Sequence, residues 1–162
     1  MKNVVWILMI CLLFTGCDEA STFETISDEI IQSVMAQPRE VYLELPEESA
    51  MPAMQTDSGK LYMCEDYDIL LQTMESGDLE KTVRSVSGFE MSDLTFIQTA
   101  SGEIDRYEFV WTSSEESGQQ ICRGTILDDG NYHYVLTTNI SADLILEYQE
   151  IWNGLFESFK LI

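Results

Sequence analysis

The one histidine of this chain is the side chain best suited to acid–base chemistry near neutral pH, because an imidazole titrates there. His133 stands between Tyr132 and Tyr134, so in a strand its ring points to the face opposite both tyrosines. Such a residue is either a general base or pH sensor, or an ordinary sheet residue. The chain has no Gly-x-Ser-x-Gly element. We therefore expect that this protein is not an enzyme. The alternative is a small hydrolase that uses His133 with a nearby serine or aspartate.

Carboxylates dominate the charged residues, with 29 Asp and Glu against 8 Lys and Arg and a net charge of -21. Nucleic-acid binding needs clustered basic residues, so this excess excludes nucleic acid as a partner. Carboxylates also bind calcium, but the chain has no Asp-x-Asp-x-Asp-Gly loop. We therefore predict solvated acidic loops, with no metal and no cofactor. The acidic clusters are Glu47–Glu48, Glu65–Asp66 with Asp68, Glu115–Glu116 and Asp128–Asp129.

The first 17 residues combine a positive start, a short apolar run and a cysteine. Lys2 is followed by 11 apolar residues from Val4 to Phe14, a length typical of a secretory signal and too short for a membrane span. Thr15-Gly16-Cys17 resembles the lipobox of bacterial lipoproteins. The resemblance implies that residues 1–16 are cleaved and that Cys17 carries lipid. An ordinary cleaved signal or an uncleaved anchor is the alternative.

On this interpretation the chain divides into three parts: the signal peptide at 1–16, a lipidated cysteine with a short tether at 17–22, and one domain at 23–162. Acyl chains on one sulfur would hold that domain at the extracytoplasmic face of a bacterial cell membrane. The domain keeps an even pair of cysteines in an oxidising compartment, which predicts a disulfide between Cys64 and Cys122. Two unbridged thiols that pack as small apolar side chains are the alternative.

Apolar periodicity and turn residues predict a mixed succession of helices and strands. Asp78 is expected to cap a short helix that ends at Gly88, and residues 128–131 are expected to form a tight hairpin turn. Ser141 is expected to cap a long terminal helix, with Lys160 at its carboxyl end. The remaining elements are a helix at 23–36, strands at 39–45, 60–64, 67–74, 94–99 with an extension through 104–112, 119–127 and 132–138, and a loop at 46–59.

This order predicts an α+β fold in which a long C-terminal helix and shorter helices cover a central antiparallel sheet. The run Tyr132-His133-Tyr134-Val135-Leu136-Thr137-Thr138, followed by a helix ending Trp152-Asn153-Gly154-Leu155-Phe156-Glu157-Ser158-Phe159-Lys160-Leu161, resembles the end of PsbP-like domains. The resemblance implies an α/β/α sandwich and an accessory role. It implies no catalytic residue.

Three aromatic residues at alternate positions, Tyr107, Phe109 and Trp111, share one face of a predicted strand. They belong to the core if helices cover that face, and together with His133 they form a candidate binding face if helices do not. We therefore expect a non-enzymatic, lipid-anchored binding or accessory domain whose partner is an envelope protein or a cationic ligand. An envelope spacer without any ligand is a further alternative.

Overall fold

The computed structural model describes residues 36–49, 51–115 and 118–162. The predicted helix at 23–36 and the lipidation site at Cys17 therefore lie outside the described residues, apart from the last residue of that helix. Nine strands and two α-helices are present in the described part. They are β1 (Val41–Tyr42), β2 (Met54–Thr56), β3 (Gly59–Met63), β4 (Tyr67–Glu75), α1 (Leu79–Ser87), β5 (Thr95–Ser101), β6 (Ile104–Glu115), β7 (Gly118–Asp128), β8 (Tyr132–Ser141), α2 (Gln149–Ser158) and β9 (Lys160–Leu161).

Seven of these strands form one antiparallel sheet in the order β2-β3-β4-β8-β7-β6-β5. The central strand is β8, which is buried along most of its length because it has a neighbour on each side and a helix over each face. Strands β1 and β9 form a separate two-stranded sheet. The predicted α+β class with a central antiparallel sheet is confirmed.

The helix α2 covers the first face of the sheet. Leu136 and Ile140 of β8 pack there against Leu155 and Phe156 of α2, because alternate residues of a strand point to the same side. The other buried residues of this cluster are Tyr62, Tyr67, Ile69, Leu127, Tyr134, Trp152 and Phe159.

Two arginines fix the carboxyl end of α2 to the sheet. The guanidinium of Arg106 donates to the carbonyl oxygens of Phe156 at 2.7 Å and Phe159 at 3.0 Å. Arg123 lies over the Phe156 ring, 4.2 Å from its centroid. Glu108 accepts from Arg106 at 2.6 Å and from Arg123 at 3.1 Å. Burial alone would raise the pKa of Glu108, but the two arginines outweigh it and hold this pKa below its ordinary value of 4.5.

The helix α1 packs on the second face of the sheet, and its ends are those that the sequence predicts. The side chain of Asp78 accepts from the backbone N–H of Glu80, and Gly88 ends the helix in a left-handed conformation with a φ of 79°. Val83 of α1 is fully buried against Phe109 and Val135. The second face therefore has a core of its own.

The C-terminal segment differs from the prediction. Ser141 is the last residue of β8 rather than a helix cap, residues 142–147 form turns, and the helix begins only at Gln149. Pairing of Ile140 with Tyr67 and Ile121 extends the strand, because two neighbouring strands offer hydrogen-bond partners there. Lys160 lies in β9 and not at the end of a helix. Neither helix of the described part is long and apolar enough to cross a membrane.

Three further segments differ in their bounds. The strand expected at 39–45 is reduced to β1, and the loop expected at 46–59 contains a 3-10 turn at Glu47–Ser49 and the strand β2. The strand expected to extend from 94 to 112 is two strands, because the chain reverses between Ser101 and Ile104. The turn at 128–131 joins β7 to β8 as predicted.

No disulfide joins Cys64 to Cys122, and that prediction is wrong for the described fold. Cys64 follows β3, whereas Cys122 lies on β7, so β4 and β8 stand between them. Three strand spacings amount to about 14 Å, and a disulfide requires the two Cα atoms to lie within about 7 Å. Cys64 instead lies 2.8 Å from the hydroxyl of Ser49.

Candidate functional site

Among residues 36–49, 51–115 and 118–162, no helix covers about half of the second sheet face. With nine residues, α1 is about 13 Å long, whereas a sheet of seven strands is about 29 Å wide. α1 therefore covers only the part of the face near Phe109 and Val135. A groove of about 200 Å³ lies on the uncovered part and is lined by Leu61, Asp68, Leu70, Trp111, Cys122, Thr137, Thr138 and Asn139.

Five strands supply the walls of this groove, which we call the Trp111 groove. Leu61 and Leu70 form an apolar wall from β3 and β4, and Trp111 of β6 lies on the other side of the sheet centre. Asp68 and Asn139 supply polar groups, and the backbone N–H of Asp68 donates to the side-chain oxygen of Asn139 at 3.2 Å. Among the described residues that line the groove, none is basic.

A stack of three aromatic rings holds Trp111 in place. The ring of Phe109 lies 5.0 Å from that of Phe96, at an angle of 26°, and 5.5 Å from that of Trp111, at 22°. Phe109 is fully buried, whereas Trp111 is half-buried and reaches the groove. The stack therefore connects the core under α1 to the open half of the face.

Gly124 makes this stack possible. It lies opposite Phe109 on the neighbouring strand β7. A Cβ atom at position 124 would lie 2.6 Å from Cζ of Phe109 and 2.8 Å from its Cε2, which is closer than real Cβ contacts. A glycine in a strand interior signals a close approach of this kind. Gly124 was not among the predicted site residues, although an isolated glycine inside a predicted strand is the signal that could have found it.

His133 lies on the same sheet face but is buried beneath the start of α1. Its Nδ1 is 2.8 Å from the hydroxyl of Thr82 on α1. Its Nε2 is 3.4 Å from a carboxylate oxygen of Asp128 and 3.5 Å from the hydroxyl of Ser76. The side chain has no solvent exposure.

In this arrangement the serine and the aspartate do not take the positions around the imidazole that they have in the Ser-His-Asp triad of a hydrolase. In a triad the serine and the carboxylate occupy opposite ring nitrogens, so that one orients the imidazole while the other exchanges a proton. Ser76 and Asp128 both face Nε2 of His133, and Nδ1 faces Thr82. The cluster joins α1 to the sheet by hydrogen bonds, and His133 does not line the Trp111 groove.

The structure distributes the predicted binding residues between the core and the groove. Tyr107, Phe109, Trp111 and His133 all point to the second face, but Phe109 and His133 are buried beneath α1. Tyr107 is half-buried, and burial together with the nearby carboxylates raises the pKa of its phenol. Trp111 alone of these four lines the groove. Asp68 was predicted only as part of a solvated acidic loop, whereas it lies in β4 and lines the groove. Asn139 was not predicted, because nothing in its local sequence distinguishes it from other polar strand residues.

Neither a protein-family model nor a curated protein sequence matches this chain. Solved structures with a similar fold include LpqN, a protein involved in cell envelope biogenesis of Mycobacterium tuberculosis. It is 11% identical to this chain with a TM-score of 0.50, over 77% of this chain and 86% of that one. They also include the cyanobacterial PsbP of Synechocystis sp. PCC 6803, which is 9% identical with a TM-score of 0.49, over 78% and 84%. At 11% identity, the likeness to LpqN shows the fold alone.

Proposed function

We propose that this chain is a lipid-anchored, extracytoplasmic accessory domain that binds a partner protein through the Trp111 groove and performs no catalysis itself. The N-terminal motif ending at Cys17 supports the anchor and the compartment. The fold likeness to LpqN, which is involved in envelope biogenesis, agrees with an envelope location. The single observation that carries the binding function is the uncovered sheet face with a half-buried tryptophan.

The size of the groove favours a side chain of a protein over a free small molecule. Pockets for drug-sized ligands enclose about 300–1,000 Å³, whereas this groove encloses about 200 Å³. A single long side chain fits the smaller volume. The groove is also open to solvent, so a partner can insert one residue while its own backbone stays outside.

The lining favours a long cationic side chain. A guanidinium or ammonium group is attracted to the face of a tryptophan and to a carboxylate, and the groove offers Trp111 and Asp68. The methylene groups of arginine or lysine pack well on aliphatic surface, which Leu61 and Leu70 supply. The net charge of -21 would draw a basic partner toward the domain. We therefore propose an arginine or lysine of an envelope protein as the inserted residue.

The test is calorimetric titration of the full chain, produced in a bacterial host and purified in mild detergent. The probe is a five-residue peptide that alternates leucine and arginine, and the control peptide carries uncharged citrulline in place of arginine. We expect the arginine peptide to bind more tightly than the citrulline peptide, because only a charged group interacts with Asp68 as an ion pair. Asp68→Asn and Trp111→Ala should each weaken binding about tenfold.

A matched control separates the groove from the general acidity of the chain. Asp143→Asn removes the same charge from an exposed position outside the groove and should leave the affinity unchanged. Equal weakening by Asp68→Asn and Asp143→Asn would mean that the peptide responds only to net charge. Equal binding of both peptides, or none, would overturn the proposed ligand class.

A further inference from the structure

The outer edge of β5 lacks the features that keep sheet edges from pairing with other strands. The strand reads Thr-Phe-Ile-Gln-Thr-Ala-Ser, without a charge or a proline. Its pairing with β6 is regular from Thr95 opposite Val110 to Ser101 opposite Ile104, so no bulge turns it away. Natural edges are usually blunted by charge, proline, bulges or shortness. The opposite edge strand, β2, has only three residues.

The turn after β5 fixes which backbone groups face outward. Ser101 and Ile104 flank a two-residue turn, so they form a hydrogen-bonded pair of the β5–β6 ladder. Hydrogen-bonded and non-hydrogen-bonded pairs alternate along an antiparallel ladder. Phe96, Gln98 and Ala100 therefore direct their N–H and C=O groups away from β6. Within the part of the chain that the structure describes, no strand pairs with this outer edge.

We propose that a second copy of this chain pairs with that edge, β5 against β5, antiparallel about a two-fold axis at Gln98. In this register Gln98 lies opposite Gln98 of the second copy, and Phe96 lies opposite Ala100. All six outward-facing residues, three from each copy, then form hydrogen-bonded pairs. Such an interface uses the same surface on both copies, as a two-fold dimer requires.

The side chains beside this edge also favour the pairing. Ile97 is 61% exposed and Val110 is 52% exposed, and both lie on the face that α2 leaves open at this end of the sheet. In the proposed register Ile97 lies opposite Thr99 of the second copy. The two Ile97 side chains are then diagonal neighbours at about 7–8 Å, within mutual reach. Pairing therefore covers part of the Ile97 surface that is exposed in the single chain.

The lack of charge on β5 favours a second copy of this chain over a basic protein as the partner of this edge. A strand selected for a basic partner would carry acidic residues along its edge, whereas β5 carries none despite the net charge of -21. The nearest acidic residues along the chain, Asp93 and Glu103, lie beyond the two ends of β5. We therefore expect dimerisation to strengthen as salt concentration rises, because salt screens the general repulsion between two acidic copies.

The test is cysteine cross-linking of the full chain in intact cells. Ile97→Cys is co-expressed with a differently tagged Thr99→Cys, mild oxidant is added, and dimers are separated on a non-reducing gel. The proposed register places the two substituted positions directly opposite each other, within disulfide reach. Each variant alone places its substituted positions diagonally and beyond that reach. We therefore expect a mixed dimer from the co-expressed pair, little dimer from either variant alone, and none from the wild type.

A second substitution checks that the backbone edge makes the contact. Gln98→Pro, added to both cysteine variants, removes one outward N–H and should abolish the mixed dimer, whereas Gln98→Ala keeps that N–H and should preserve it. Circular dichroism of each purified variant verifies folding. No cross-link in the Gln98→Ala background would overturn the proposal, as would equal cross-linking of all cysteine combinations. A cross-link to a different protein would show that another partner occupies the edge.

Discussion

Replacing Gly124 by alanine tests whether the aromatic stack is as tightly packed as the distances indicate. The new Cβ would lie 2.6 Å from Cζ of Phe109. The Phe109 ring cannot move easily, because Phe96 and Trp111 stack on either side of it at 5.0 and 5.5 Å. One methyl group must therefore displace a buried ring or separate β6 from β7.

The expected cost follows from other overpacked cores, in which inserting a methylene-sized group lowers the free energy of unfolding by about 1–3 kcal/mol. A domain of this size loses about 4 °C of melting temperature per kcal/mol, so we expect a fall of about 4–12 °C. Urea unfolding of the purified full chain measures the free energy, and thermal unfolding measures the melting temperature, both monitored by circular dichroism. Because Trp111 belongs to the stack, the same variant should also weaken binding at the groove.

Gly154→Ala is the matched control, since Gly154 lies in α2 with no atom near the position of the added methyl group. An alanine there should stabilise the protein by up to about 1 kcal/mol through its higher helix propensity. Phe109→Leu should partly relieve the cost of Gly124→Ala, with a coupling of about 0.5–3 kcal/mol in a double-mutant cycle. Unchanged stability of Gly124→Ala, or strictly additive effects with Phe109→Leu, would refute the packing argument.

Three further predictions concern the buried histidine, the arginine-paired glutamate and the anchor. Thr82→Val removes the hydrogen-bond partner of Nδ1 of His133 and should lower the free energy of unfolding by about 1–3 kcal/mol in urea titrations. The lowered pKa of Glu108 contributes stability that is present above its ordinary value of 4.5 and is lost as pH falls through the folded-state pKa. Glu108→Gln should therefore show a smaller loss of stability below about pH 4.5 than the wild type in urea titrations across pH. Cys17→Ser should move the protein from the membrane fraction to the soluble extracytoplasmic fraction, and unchanged fractionation would contradict lipidation.

Elements governed by local sequence could be predicted. The helix between Asp78 and Gly88 has a cap at each end, and both caps act through neighbouring backbone groups. The common orientation of Tyr107, Phe109 and Trp111 follows from strand alternation alone. These features depend on residues close together in the chain, so no knowledge of the tertiary fold was needed.

Elements governed by distant pairing could not be predicted. The apolar spacing after Ser141 is helical, yet pairing of Ser141 with Gln120 of β7 keeps Ser141 in a strand. Lys160 pairs with Tyr42, more than a hundred residues away in the chain, and nothing local to either residue indicates that contact. The disulfide prediction failed for the same reason, because the order of strands sets the distance between Cys64 and Cys122.

The candidate site could be predicted only in part from the sequence. Trp111 could be selected from its aromatic neighbours, but its exposure depends on where α1 ends over the sheet. Asp68 and Asn139 come together only because β4 and β8 are neighbours. The groove is therefore a product of topology acting on residues that are individually ordinary.

The most direct test of the account is nuclear magnetic resonance of the ¹⁵N-labelled full chain during titration with the arginine–leucine peptide. We predict that the largest shifts occur in the indole signal of Trp111 and the side-chain amide of Asn139, with smaller shifts in the remaining residues of the Trp111 groove. Shifts confined to the exposed acidic loops, with the Trp111 and Asn139 signals unmoved at saturation, would contradict the central claim that the uncovered sheet face is the binding site.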